Sequence, residues 1–190
     1  MSVKTPYLRK GDRIKLQFLD GTTGTAKKLI LSGLIEEVPE FQEPVITAEN
    51  EDFLISGVLK GMTEGDDAST FNQSSFTVYA LDDQVSAGKN KIMEFLKKKL
   101  DGATELVSKN TGSITVVDQN GIDTALSITT NKFLFECEVL FTSDVDEKDF
   151  GYKFLVFIND VVPSTTDNKV SMTITMTPYS KLTPISTITE

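Results

Sequence analysis

Residues 169–177 (KVSMTITMT) alternate without a break. Val170, Met172, Ile174 and Met176 fall on one side; Ser171, Thr173, Thr175 and Thr177 fall on the other. A period of two belongs to a strand with one apolar and one wet face, and no helix can satisfy it. The period recurs elsewhere. Residues 13–19 (RIKLQFL) place Ile14, Leu16 and Phe18 together, and residues 132–141 (KFLFECEVLF) place Phe133, Phe135, Cys137, Val139 and Phe141 on one face. Further runs of strand length occupy 28–35, 53–59, 74–81, 113–118 and 152–158, with Gly57 marking a bulge or bend. Asp20-Gly21 is a turn signal, and Asn120-Gly121 is a two-residue hairpin signal that leads into a strand at 122–129.

The period changes once. Residues 89–100 (KNKIMEFLKKKL) set Ile92, Phe95, Leu96 and Leu100 at helical spacing, with Gly102 as the stop and Lys97, Lys98 and Lys99 near the negative end of the dipole. The helix is amphipathic, and its apolar face is expected to cover the domain's own sheet. Two stretches are polar and acidic. Residues 36–52 carry Glu36, Glu37, Glu40, Glu43, Glu49, Glu51 and Asp52 with no basic residue, and residues 61–73 carry Glu64, Asp66 and Asp67 between glycines. They read as long exposed loops or hairpins of a 36–73 region. The sum is one mainly β domain over 1–190, a β-sandwich or barrel with one flanking helix and long acidic loops. An arm over 1–12 precedes it. Pro178 and Pro184 are expected to end regular structure and leave a tail at 179–190.

Composition narrows the chemistry. The chain has no histidine and one cysteine, so Ser-His-Asp and Cys-His nucleophile pairs cannot form within one chain, and neither can an intrachain disulfide. A net charge of −9 disfavours broad nucleic-acid binding and keeps free copies apart. The charge is uneven: Lys4, Arg9, Lys10, Arg13, Lys15, Lys27 and Lys28 stand before the acidic region. The N-terminus has no apolar stretch of the signal-peptide kind, and no apolar run approaches membrane-spanning length, so cytoplasmic synthesis is expected.

Several residues invite chemical roles. Cys137 lies on an apolar strand face and reads as a small buried hydrophobe. Asp144, Asp146, Glu147 and Asp149 lack the glycine and distal glutamate of a Ca²⁺ loop, and read as a solvated turn. Glu64, Asp66 and Asp67 read the same way. Glu136 and Glu138, at i and i+2, read as a face turned to water. Residues 20–25 (DGTTGT) lack the order of a phosphate-binding loop and read as a hairpin turn. No catalytic, cofactor or metal residue is expected.

The order of elements carries a resemblance. An acidic hairpin region is followed by a strand (SSFTVYALDD), a helix (KNKIMEFLKKKLDG) and an Asn-Gly hairpin (SITVVDQNGIDTALSI). An aromatic strand and a terminal alternating strand (KVSMTITMTP) complete it. This order, over roughly residues 28–178, resembles that of the tail tube proteins of siphophages, a fold shared with contractile-tail inner tubes and the type VI secretion tube. The resemblance implies a self-associating virion subunit with no cofactor. It would form stacked, hexameric rings, contact other tail proteins, and let DNA pass without specific binding or membrane contact. It implies inter-subunit contacts through Arg9, Lys10 and Arg13 of the arm and through Glu36, Glu37, Glu40, Glu43, Asp66 and Asp67 of the loop region. The helix residues Ile92, Phe95, Leu96 and Leu100 would brace the sheet or seal a subunit boundary. Ser171, Thr173, Thr175 and Thr177 would form a lumen face.

Three other readings stay open. One is another β-rich virion subunit, such as a tail terminator or a capsid decoration protein. Another is a β-sandwich ligand-binding module, though the chain has no tryptophan, the aromatic such modules most often display. The last is an enzyme working through carboxylates alone.

Overall fold

A computed structural model describes residues 14–31, 35, 40–55, 58–79, 85–86, 89–97, 106–109, 113–118, 121–127, 132–142, 149–166 and 169–189. The strands in chain order are β1 (Ile14–Leu19), β2 (Lys28–Ile30), β3 (Val45–Ile55), β4 (Val58–Thr70), β5 (Ser74–Tyr79), β6 (Val85–Ser86), β7 (Lys89–Asn90), β8 (Ser113–Asp118), β9 (Asp123–Ser127), β10 (Leu134–Phe141), β11 (Phe150–Thr166), β12 (Lys169–Pro178) and β13 (Thr183–Ile185). One short helix, α1 (Lys91–Leu96), follows β7.

The main sheet is antiparallel in the order β2-β1-β10-β11-β12-β5, with β13 also pairing β11. It curls into a half-barrel, as the mainly β expectation requires. A register shift between Ile158 and Asp160 interrupts the β11–β12 ladder. Such a bulge increases local twist and helps a long strand bend. The apolar alternation seen in the sequence lines one face of this sheet. Leu16, Phe18, Phe135, Cys137, Val156, Ile174 and Met176 are all fully buried there. Phe135 is the centre of an aromatic group: Phe95 stacks on it at 5.5 Å, and Phe18 meets it edge-on at 6.3 Å. Complete burial of a side chain this size stabilises the fold by about 1.5–3 kcal/mol.

The helix caps that core. Asn90 is its N-cap, and the Asn90 carboxamide oxygen accepts from the N–H groups of Ile92 at 3.0 Å and Met93 at 3.1 Å. Ile92, Phe95 and Leu96 are buried against the main sheet, so the helix covers its own domain. It begins two residues later than its periodicity indicates, because Lys89 and Asn90 pair with Ser86 and Val85 as β7. Leu100 and the stop at Gly102 lie outside the described residues.

The second sheet has the order β4-β3-β8-β9. Here the expected strand at 53–59 is corrected. Ile55 pairs with Val58, so that apolar run is where two long antiparallel strands meet. The acidic stretches expected as loops or hairpins supply much of β3 and β4. The β8–β9 hairpin forms where the Asn-Gly signal predicts, and Gly121 has φ +78°, but the expected two-residue turn is corrected: the last pair is Val117 with Asp123, which leaves five residues in the connection. Ile114 and Val116 on β8 pack with Leu155 of β11, which brings the second sheet against the outer face of the first.

Candidate functional site

The most regular surface is the hydroxyl-bearing face of β12 and its neighbours. By register, Ser171, Thr173 and Thr175 lie beside Tyr79, Thr77 and Ser75 of β5 and beside Ser164, Val162 and Asp160 of β11. The Ser75 and Thr175 hydroxyls are 3.0 Å apart. Thr177 Oγ1 donates to Asn159 Oδ1 at 2.7 Å. Side chains here both donate and accept hydrogen bonds, and Asp160, at the margin, accepts from the Val161 N–H at 2.8 Å. The strand is wet only in its middle. Ser171 and Thr177 are buried, and Thr173 and Thr175 are half-buried. Val170, expected on the apolar side, is 49% exposed, while Met172, Ile174 and Met176 fill the core.

The segment after β12 forms a polar junction between the two sheets. The Tyr179 N–H donates to the Leu155 carbonyl at 2.7 Å, and the Leu155 N–H donates to Ser180 Oγ at 2.8 Å. The Lys181 N–H donates to the Thr115 carbonyl of β8 at 2.7 Å, and the Leu182 N–H donates to Glu43 Oε1 at 2.9 Å. Lys181 Nζ reaches Asp123 Oδ1 of β9 at 2.7 Å. This hydrogen bond, aided by the charges of Asp123 and Glu43, outweighs desolvation and holds the lysine above its usual pKa. A cavity of about 400 Å³ lies here, floored by Ile114 and Leu155 and edged by Ser180 and Pro184. Beside it Phe71 stacks on Tyr179 at 4.6 Å, and Lys132 Nζ sits 5.0 Å from the centroids of both Phe157 and Tyr179.

Pro178 ends β12 as expected, but this junction corrects the expectation for Pro184 and for the tail after it. Pro178 closes β12 and pairs with Val156, and Pro184 lies within β13 opposite Tyr152. Prolines are tolerated at a strand end or edge, where a ladder donor is not required. The apolar recurrence Tyr179, Leu182, Ile185, Ile188 is the signal in the sequence that this segment packs.

A second correction concerns Glu136 and Glu138. Their face is not turned to water. Glu138 is 3% exposed, and Glu136 is half-buried with Lys109 Nζ 3.5 Å away. The outer face of β10 is covered by chain that periodicity does not reveal. The Lys109 N–H donates to the Leu134 carbonyl at 2.8 Å, and Thr189 bonds the Glu138 carboxylate. Cys137 is buried as expected; burial pushes its thiol well above the usual value, and the neighbouring carboxylates add to the effect.

Of the residues expected to bind neighbouring subunits, the described ones are Glu40, Glu43, Asp66 and Asp67. Arg9, Lys10, Arg13, Glu36 and Glu37 lie outside the described residues. Glu40 is exposed, and its carbonyl accepts from the Ser74 hydroxyl. Glu43 is engaged by its own chain at Leu182. Asp66 and Asp67 lie on β4, where Asp67 pairs with Ala48. Asp144, Asp146 and Glu147 are outside the described residues. Among the described residues, no cluster of three acidic or cysteine side chains is arranged to hold a metal ion. Neither a protein-family model nor a curated protein matches this chain.

Proposed function

We propose that this chain is a structural subunit of a phage tail tube, which associates with copies of itself into stacked, hexameric rings through which DNA passes. One observation carries the reading: a curled antiparallel sheet sets Ser171, Thr173 and Thr175 in register with Tyr79, Thr77 and Ser75 on one side and with Ser164, Val162 and Asp160 on the other. A lumen for DNA calls for such a surface. Hydroxyls keep its middle wetted, and neutral hydroxyls have no lasting hold on phosphates. The net charge of −9 works in the same direction. The half-barrel ends in the strands β2 and β5, the latter bridged by the same chain only at Ile35 among the described residues, and open sheet edges are the places where copies of a chain pair. The β3–β4 ribbon, thirteen residues long on its β4 side, supplies the reach from one ring to the next. Its acidic residues complement the basic arm of a second copy.

In this reading the protein resides in the virion tail after synthesis in the host cytoplasm. No described helix is long and apolar enough to cross a membrane. Negative-stain electron microscopy of purified protein at raised concentration tests the proposal. Stacked tubes with a central channel are the expected result. A single ring or trimer would favour a terminator or decoration subunit, and a persistent monomer would reject assembly altogether.

A further inference from the structure

Gln17 of β1 and Glu138 of β10 face each other across the ladder, on the sheet face opposite the main core. They are 1% and 3% exposed. A carboxylate and an amide at this depth need partners. Glu138 Oε2 accepts from Gln17 Nε2 and from the Thr189 N–H, both at 2.7 Å, while Glu138 Oε1 accepts from the Thr189 hydroxyl at 2.7 Å. Gln17 Nε2 also donates to the Thr189 carbonyl at 2.8 Å. One residue therefore has both its N–H and its C=O engaged from the same side. That is the pattern of a hydrogen-bonded residue in an antiparallel ladder, made here by two side chains in place of a strand. The two acceptors around Nε2 set the amide's orientation, since a flipped amide would turn oxygen against oxygen twice. Gln17 Oε1 is then left buried with no hydrogen-bond partner among the described residues.

We propose that Gln17 and Glu138 form a peptide-binding clamp whose ligand is an extended segment with a threonine or serine at the clamped position. The chain's own Thr189, at the end of the segment 186–189, fills it. Apolar anchoring of this segment is slight: Ser186, Thr187 and Thr189 are exposed, and Ile185 and Ile188 are half-buried. Its attachment rests on main-chain hydrogen bonds and one hydroxyl, all converging on Glu138 and its partner. Recognition of this kind reads backbone geometry first and one side chain second. The unpartnered Gln17 Oε1 offers a place for one more donor from a bound segment. On this proposal the segment exchanges, and the same sequence supplied from outside takes its place. The clamp does not rest on the tail-tube reading.

The test uses the full chain carrying Thr189→Pro, which removes both Thr189 donors, and a fluorescent peptide with the sequence of residues 183–190, TPISTITE. The peptide is expected to bind this variant one to one. Adding Glu138→Gln should weaken binding by about tenfold to a hundredfold, the loss typical of hydrogen bonds to a charged acceptor. Wild-type chain, with its own segment in place, should take up the peptide about tenfold less tightly or worse. A folded Thr189→Pro chain that ignores the peptide overturns the proposal, and so does equal binding by the double variant. Should Thr189→Pro fail to fold, hydrogen exchange on wild type decides. The Thr189 amide must be protected, and Glu138→Gln must accelerate its exchange about tenfold or more; an unprotected amide overturns the clamp.

Discussion

Asp20 is fully buried at the end of β1, and its carboxylate organises the connection to β2. It accepts from the Thr22 hydroxyl at 2.6 Å, the Lys27 N–H at 2.8 Å, and the N–H groups of Thr22 and Val107 at 3.2 Å each. Burial alone would raise its pKa, but the four donors together outweigh burial and hold it below the usual carboxylate value. A lowered folded pKa means stability that is present above the unfolded value and lost as pH falls through the folded one. Asp20→Asn is therefore expected to cost about 1.5–3 kcal/mol at neutral pH. Urea denaturation should show the gap to wild type narrowing as pH falls below the usual carboxylate range. Gly151 is constrained differently. A Cβ there would run into the Val139 carbonyl and the Leu140 Cα of β10. Gly151→Ala should lower stability by about 1–3 kcal/mol, read from chemical denaturation, as overpacking does. Neither role is visible in the sequence. Asp20-Gly21 signals a turn, but the carboxylate's most distant donor, the Val107 N–H, is 87 residues away. Glu138 shows the same limit: alternation sorts side chains onto two faces and is silent about what later covers each face.

At the scale of elements, β1, β10, β12 and the β8–β9 hairpin were legible because each rests on local chemistry: a period of two, or a glycine where φ must be positive. The helix was legible from its apolar spacing, and its Phe95 reaches the centre of the aromatic core. Phe95→Ala is expected to destabilise the protein by about 3–5 kcal/mol, with loss of near-ultraviolet dichroism before the strands melt. The β3–β4 ribbon was only half legible. Dense carboxylates read as a solvated loop or hairpin, and such a composition is compatible with strands whose ladder is closed by each other. β13 was missed because proline argues against strands, and a three-residue edge strand needs few ladder donors.

At the scale of the whole molecule, the tail-tube proposal makes the charge asymmetry of the chain an assembly device. The basic arm holding Lys10 and Arg13 lies outside the described residues. Lys10→Glu together with Arg13→Glu should leave the melting profile unchanged and abolish tubes in electron micrographs. Normal tubes from that variant would remove the arm from the mechanism.

The central pairing of the half-barrel joins β1 to β10, and Gln17 meets a residue 121 positions further on. A ribosome adding about 5–20 residues per second would release the first strand several seconds before its partner exists. During that interval Ile14, Leu16 and Phe18 have only the short β2 beside them. Pairing so distant in sequence makes for slow folding. The half-barrel therefore closes late in translation, and a nascent chain stalled before Leu134 would have no middle to its sheet.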